Sequence, residues 1–164
     1  MMIKIGPNVE KNKRIPVGAN PYHFYLAHKG FSFAGVCENE HCKAFNEPVT
    51  CKRGEGYDES FCPCDDVYAG EYVPKCPGCG QQFKVRTWIL YRCQAKIEYI
   101  KKESDKKKER NTPLILNFDE SSRDSVRILG IDKNNVVHEM EYRYLKVSVH
   151  KPNAKKGCLN TILS

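Results

Sequence analysis

Nine cysteines in a chain of 164 residues offer the most chemistry in this sequence, and their spacing narrows what that chemistry is. "CPGCG" at Cys76–Gly80 has the form of a metal knuckle. Two intervening residues let both sulfurs meet one ion. The glycines allow the tight turn, and its backbone N–H groups can point at the sulfurs and soften their charge. A redox CxxC would need a βαβ setting and usually an aromatic residue ahead of the first cysteine. Here Lys75 precedes the pair and a β-like run follows. "CENEHC" at Cys37–Cys42 is a wider pair, whose loop still lets both ends reach one ion. The two pairs lie about a hairpin and a loop apart, so Cys37, Cys42, Cys76 and Cys79 are expected to face each other across one Zn2+. His41 adjoins Cys42 and is read as an exposed neighbour, not a substitute ligand.

Cys158 lies near the end of the chain and is set aside. The eight that remain would fill two tetrahedral four-thiolate sites with none left over. Cys51, Cys62, Cys64 and Cys93 are therefore the candidates for a second Zn2+. "CPC" at Cys62–Cys64 brings two sulfurs close in an extended chain. The plainer reading of Cys51 and Cys93 is a small buried apolar residue. Another pairing also fits the spacing: Cys37, Cys42, Cys62 and Cys64 about one ion, and Cys76, Cys79 and Cys93 with a further group about the other.

The elements that must position these ligands read as mostly β. "VRTWILYRCQAKIEYI" alternates, with Val85, Thr87, Ile89, Tyr91, Cys93, Ala95, Ile97 and Tyr99 on one parity. Trp88 and Leu90 interrupt the other, polar parity, which implies that this face is covered locally. "YRYLKVSV" places Leu145, Val147 and Val149 together, "LILNF" and "VRILGI" are short strands, and "DKNN" at Asp132–Asn135 is a turn. No segment carries a helical stripe of useful length. Residues 1–30, broken by Gly6, Pro7, Pro16, Gly18 and Pro21, read as an extended arm in which "YHFYLAH" (Tyr22–His28) alone is apolar enough to dock, on a partner or on the chain's own β body. Residues 101–112, "KKESDKKKERNT", form a charged connector, a solvated loop or frayed hairpin tip. Residues 151–164 read as a loose tail. The expected organisation is one zinc-stabilised, zinc-ribbon-like β domain over 31–150 between that arm and that tail.

Composition bounds the function. The hydrophobic share is 40% in short runs and charged residues reach 29%, which predicts a thin core that gains from a metal staple. The net charge is +7, but the cysteine-rich residues 31–100 hold eight basic and ten acidic side chains. Four thiolates around a +2 ion add about −2 per site. An acidic finger suits phosphate poorly, so only the arm and connector are left for nucleic acid. The polar start lacks the apolar stretch of a secretory signal and nothing reaches membrane-spanning length, so the chain is expected to be intracellular, cytoplasmic or nuclear, with reduced thiols.

Two resemblances follow from these motifs. "GFSFAGVCENEHCKAFNEPVTCKRGEGY", then "KCPGCG", a strand ending "YRC" and the late "YRYLKVSV" together resemble a little-described cysteine-rich domain of protist and some animal proteins, often found beside ubiquitin-like repeats. That resemblance spans roughly Gly30 to Val149. It implies a zinc-ribbon-like β domain with Cys37, Cys42, Cys76 and Cys79 as ligands and no enzymatic activity. The insert carrying Cys62 and Cys64 departs from it, and no ubiquitin-like repeat is visible. The order Cys37-x4-Cys42, Cys62-x-Cys64, Cys76-x2-Cys79, Cys93 is similar to the in-between-RING zinc domain of some ubiquitin ligases. The gap from Cys64 to Cys76 is longer than that pattern allows, Lys84 stands where it has a histidine, and flanking RING domains are absent.

These readings converge on a non-enzymatic zinc-binding interaction module, or an accessory subunit of a larger protein assembly. A ubiquitin-system finger and a nucleic-acid-binding zinc protein are the alternatives. No paired-carboxylate motif, nucleophile elbow or phosphate-cradling loop stands out, and no small-molecule substrate is expected. "GEGYDES" at Gly54–Ser60 has no lysine and no following helix, so it reads as a turn. Asp65 and Asp66 beside "CPC" read as exposed loop acids.

Overall fold

The computed structural model describes residues 3–152, so the expected tail from residue 153 on, with Cys158, lies outside the described residues. The chain is mostly β, and its strands form two antiparallel sheets. The first has the order β1 (Lys4–Pro7), β9 (Glu139–His150), β6 (Cys93–Lys101), β7 (Leu114–Glu120). The second has the order β2 (Asn12–Pro16), β8 (Ser125–Leu129), β5 (Lys84–Tyr91), β3 (Gly30–Val36), β4 (Pro48–Lys52). The period-2 alternation of each sheet sends one set of side chains inward. Phe31, Phe33, Trp88 and Leu90 of the second sheet meet Ala95, Ile97, Tyr142, Leu145 and Val147 of the first in one continuous core. This core is broader than the thin one expected from composition. The short apolar runs are the inward faces of many short strands, which add up across two sheets.

The long run from Val85 to Tyr99 is two strands, not one. Arg92 has φ 47°, a left-handed conformation rare for arginine, and there the chain leaves the second sheet and enters the first. The turn exchanges inward and outward parity. Trp88 and Leu90 face the core before it, and Cys93, Ala95, Ile97 and Tyr99 face the core after it. That is why Trp88 and Leu90 fall out of step with the later residues in the sequence. The Tyr57 hydroxyl donates to the Arg92 carbonyl at 3.0 Å and ties the corner down.

Residues 1–30 are a correction to the expected arm. Lys4–Pro7 pairs with Glu139–Tyr142, and Asn12–Pro16 pairs with Ser125–Leu129. Val9 between them is fully buried, and its N–H donates to the Tyr142 hydroxyl at 3.1 Å. Both strands lie at sheet edges, where a short segment pairs along one side only and needs few apolar residues. The aromatic stretch after them packs on the chain's own body. The Thr50 N–H donates to the Phe24 carbonyl at 3.0 Å, and the Leu26 N–H to Thr50 Oγ1 at 2.9 Å. The charged connector does form a hairpin tip between β6 and β7, with one turn of 3-10 helix at Lys106–Lys108.

One short helix, α1 (Pro63–Ala69), starts with proline in its first turn and ends at Gly70 in the left-handed conformation. The insert that carries it is organised around Arg53. The buried Arg53 guanidinium pairs with Asp66 and Asp58 and lies between Phe61, 3.9 Å from the ring centroid, and Tyr72, 4.1 Å away. Asp66, expected as an exposed loop acid, is buried in this pair.

Candidate metal centre

Strands β3 and β5 are neighbours, with Val36 opposite Lys84, so the residue after β3 and the loop before β5 emerge at the same end of the sheet. Each supplies half of a cluster. The first loop leaves Cys37 and returns at once: the Asn46 N–H donates to the Cys37 carbonyl at 2.8 Å and the Cys37 N–H to the Glu47 carbonyl at 3.2 Å. The second loop closes in the same way, with the Cys76 N–H on the Gln81 carbonyl and the Gly80 N–H on the Cys76 carbonyl, both 2.8 Å. Gly80 has φ 74°, which a side chain would resist, as the knuckle reading requires.

The four sulfurs of Cys37, Cys42, Cys76 and Cys79 lie within 4.8 Å of one another. Cys37 and Cys79 are 3.8 Å apart and Cys42 and Cys76 3.9 Å apart. A regular tetrahedron of sulfurs about 2.3 Å from a central ion has edges of about 3.8 Å, so the cluster matches the size of a four-thiolate metal site. Backbone N–H groups point at two of the sulfurs: Ala44 N–H at Cys42 and Gly78 N–H at Cys76, both 3.3 Å. Burial pushes the Cys37 thiol up to about 12, and the three neighbouring thiols add to that shift. Cys79 is held down at about 7, first by the Asn39 side chain and then by the Gln81 backbone. Four sulfurs crowded this closely without a cation resist ionising together, and a divalent ion at their centre relieves that repulsion.

Phe24 roofs the site. A Cβ on Gly78 would stand 2.9 Å from the Phe24 ring and 3.1 Å from the Cys42 sulfur, so glycine lets the aromatic segment lie directly on the knuckle. Neither Phe24 nor Asn39 carries a local sequence signal for this role. Phe24 reaches the site only through the fold, and Asn39 acts on Cys79 of the other loop. His41 is exposed and outside the cluster, as its neighbour position implied.

The structure does not gather Cys51, Cys62, Cys64 and Cys93, and the first quartet is the sole metal-capable group of three or more such residues among the described residues. Three of the four donate S–H to backbone carbonyls: Cys51 to Lys52 at 3.7 Å, Cys64 to Ile5 at 3.3 Å and Cys93 to Gly30 at 3.8 Å. Burial pushes Cys62 up to about 11 and Cys64 and Cys93 up to about 12, as it does Cys37. The second expected Zn2+ thus has no gathered ligand set among the described residues, and neither has the pairing that put Cys62 and Cys64 with Cys37 and Cys42. The Arg53 ion pairs and aromatic stacking hold the insert where metal was expected to. All eight described cysteines are free of disulfides.

No family model matches this chain, and no curated protein or solved structure matches it.

Proposed function

We propose that Cys37, Cys42, Cys76 and Cys79 hold one Zn2+ and that the chain is a non-enzymatic interaction module or accessory subunit built on a metal-stapled β-sandwich. The observation that carries this reading is the close gathering of four sulfurs, all within 4.8 Å of one another, at the ends of two paired strands. An all-sulfur tetrahedral set suits zinc or iron among common metals. A set of four protein ligands leaves no position for a reacting water, so the ion's role is structural. It ties together two loops that lie outside the named strands. The resemblance to a cysteine-rich zinc-ribbon-like domain supports the same ligand set. The requirement for reduced thiols supports an intracellular setting.

Elemental analysis of the purified full chain tests the reading. One zinc per chain is expected, with no iron, and Co2+ substitution should give the absorption of a tetrahedral thiolate site. Cys76→Ser should lose the metal, while Cys51→Ser should keep it. Metal-free protein, or a disulfide within the quartet, overturns the assignment.

A further inference from the structure

The two sheets of the sandwich differ on their outer faces. The outer face of the first sheet is that of a solvated antiparallel sheet: Gln94, Lys96 and Glu98 of β6 and Lys146, Ser148 and His150 of β9 alternate with buried residues. The outer face of the second sheet carries Ala34, Ile89, Val126 and Ile128, which with Ile131 form an apolar cluster of their own, separate from the main core. Ile15 and Tyr25 pack against it. A sheet face this apolar is normally covered.

The chain itself buries these five residues, at 1–8% exposed, but leaves large apolar side chains exposed around them. The segment after β2 crosses the face and sets Tyr25 on it, leaving a groove on either side. One groove is about 540 Å³ and the other about 330 Å³, and Ile15, Tyr22 and Tyr25 line both. Val17, Tyr22, Leu26 and Val137, which line these grooves, are exposed large apolar residues. The charged side chains that line the grooves, lysine and arginine, are of one sign. Lys13 and Arg86 line the larger groove, and no Asp or Glu lines either. Lys13 shares the outward parity of Ile15 on β2.

We infer that this face is the docking surface of the module, and that it takes an acidic amphipathic peptide segment of a protein partner. Apolar side chains of the segment fill the grooves beside Tyr25, and its carboxylates meet Lys13 and Arg86. This rests on the interaction-module reading and adds to it the place and chemistry of the contact. The metal knuckles brace one end of β3 and β5, two of the strands that carry the face, and are not themselves part of it.

The test uses the zinc-loaded full chain and a library of random twelve-residue peptides displayed on phage. Selection runs against the wild-type protein, with depletion on the double variant K13E/R86E. The expected peptides carry Asp or Glu beside Leu, Ile, Phe or Trp, and as synthetic peptides they shift the methyl resonances of Ile15, Ile89, Val126 and Ile128. They should bind K13E/R86E at least about tenfold more weakly by fluorescence anisotropy. That variant should keep its metal and its amide spectrum, so the loss reports on the face alone. Basic peptides, shifts confined to the knuckles, or no peptide that distinguishes wild type from variant overturn the inference. Phosphatidylglycerol vesicles that move the same methyls where no peptide does would also overturn it, by making the face a lipid surface. Protein that lacks metal yet binds acidic peptides through this face sinks the zinc reading and leaves the docking surface standing.

Discussion

At the scale of single residues, identical side chains divide into two chemical populations by what their backbone offers them. Four cysteines sit on tight loops with N–H groups turned toward sulfur, and four others sit in or beside regular elements. Three of those four find a carbonyl acceptor. The first population was legible, because a two- or four-residue gap closed by glycine or a turn is a local property. The second was not: arithmetic on eight cysteines cannot see that a carbonyl of a strand 59 positions away accepts from Cys64. A second residue-scale feature carries a pH prediction. Asp132 accepts from the His138 ring at 2.7 Å and from the backbone N–H groups of Asn134 and Val136. The His138 contact comes first and the Val136 N–H second in holding its carboxyl near 2, down from an ordinary 3.8. A carboxylate with a depressed folded-state pKa stabilises the fold fully above its unfolded value. The Asp132 contribution is thus present above about pH 4 and lost as pH falls toward 2. Carboxyl-carbon NMR should show Asp132 titrating near 2 in the wild type and higher in His138→Ala. An unchanged titration in that variant would mean that the imidazole plays no part.

At the scale of elements, the strands were legible where alternation is strong and one face is buried, as in β6 and β9. Two features were hidden. The break at Arg92 falls in an unbroken apolar alternation, and arginine gives no signal for a left-handed turn; only the out-of-step Trp88 and Leu90 hint at the change of face. The strands β1 and β2 were hidden because edge strands draw their order from backbone pairing with β9 and β8, which lie more than a hundred residues later. The insert between β4 and β5 shows the same dependence on distant partners. Arg53 and Asp66 are both buried, with side chains 8% and 6% exposed, and each is paired with the other. Removing one member of a buried pair leaves an uncompensated charge and costs about 3–5 kcal/mol. Arg53→Met should therefore lower stability in urea by that amount and release α1, while Arg53→Met combined with Asp66→Asn should cost less than the two single changes added together. Additive effects would show that the aromatic stacking on Phe61 and Tyr72, and not the ion pair, holds the insert.

At the scale of the molecule, the metal loops and the sandwich core are distinct sources of order. The sequence, with its short apolar runs, reads as a thin core dependent on metal. Instead Phe31, Phe33, Trp88, Leu90, Ile97, Tyr142 and Val147 are all essentially excluded from water between two full sheets. Burying a large apolar side chain is worth about 1.5–3 kcal/mol, so a core of this extent is expected to stand without the ion. The cysteine quartet lies at one end of β3 and β5, and its loops join the main core through Ala44 and Phe83, with Phe24 packed on Gly78. Removing the ion should therefore unfold locally and spare the body. In the presence of a strong chelator, amide exchange should accelerate through residues 38–46 and 75–82 and in the Phe24 segment. The emission of Trp88, the single tryptophan of the chain and fully buried, should stay that of the folded core. Amides of β6 and β9, at the centre of the first sheet, should keep their protection. Loss of Trp88 emission together with the metal would mean that the knuckles nucleate the sandwich, and that the core cannot stand without them.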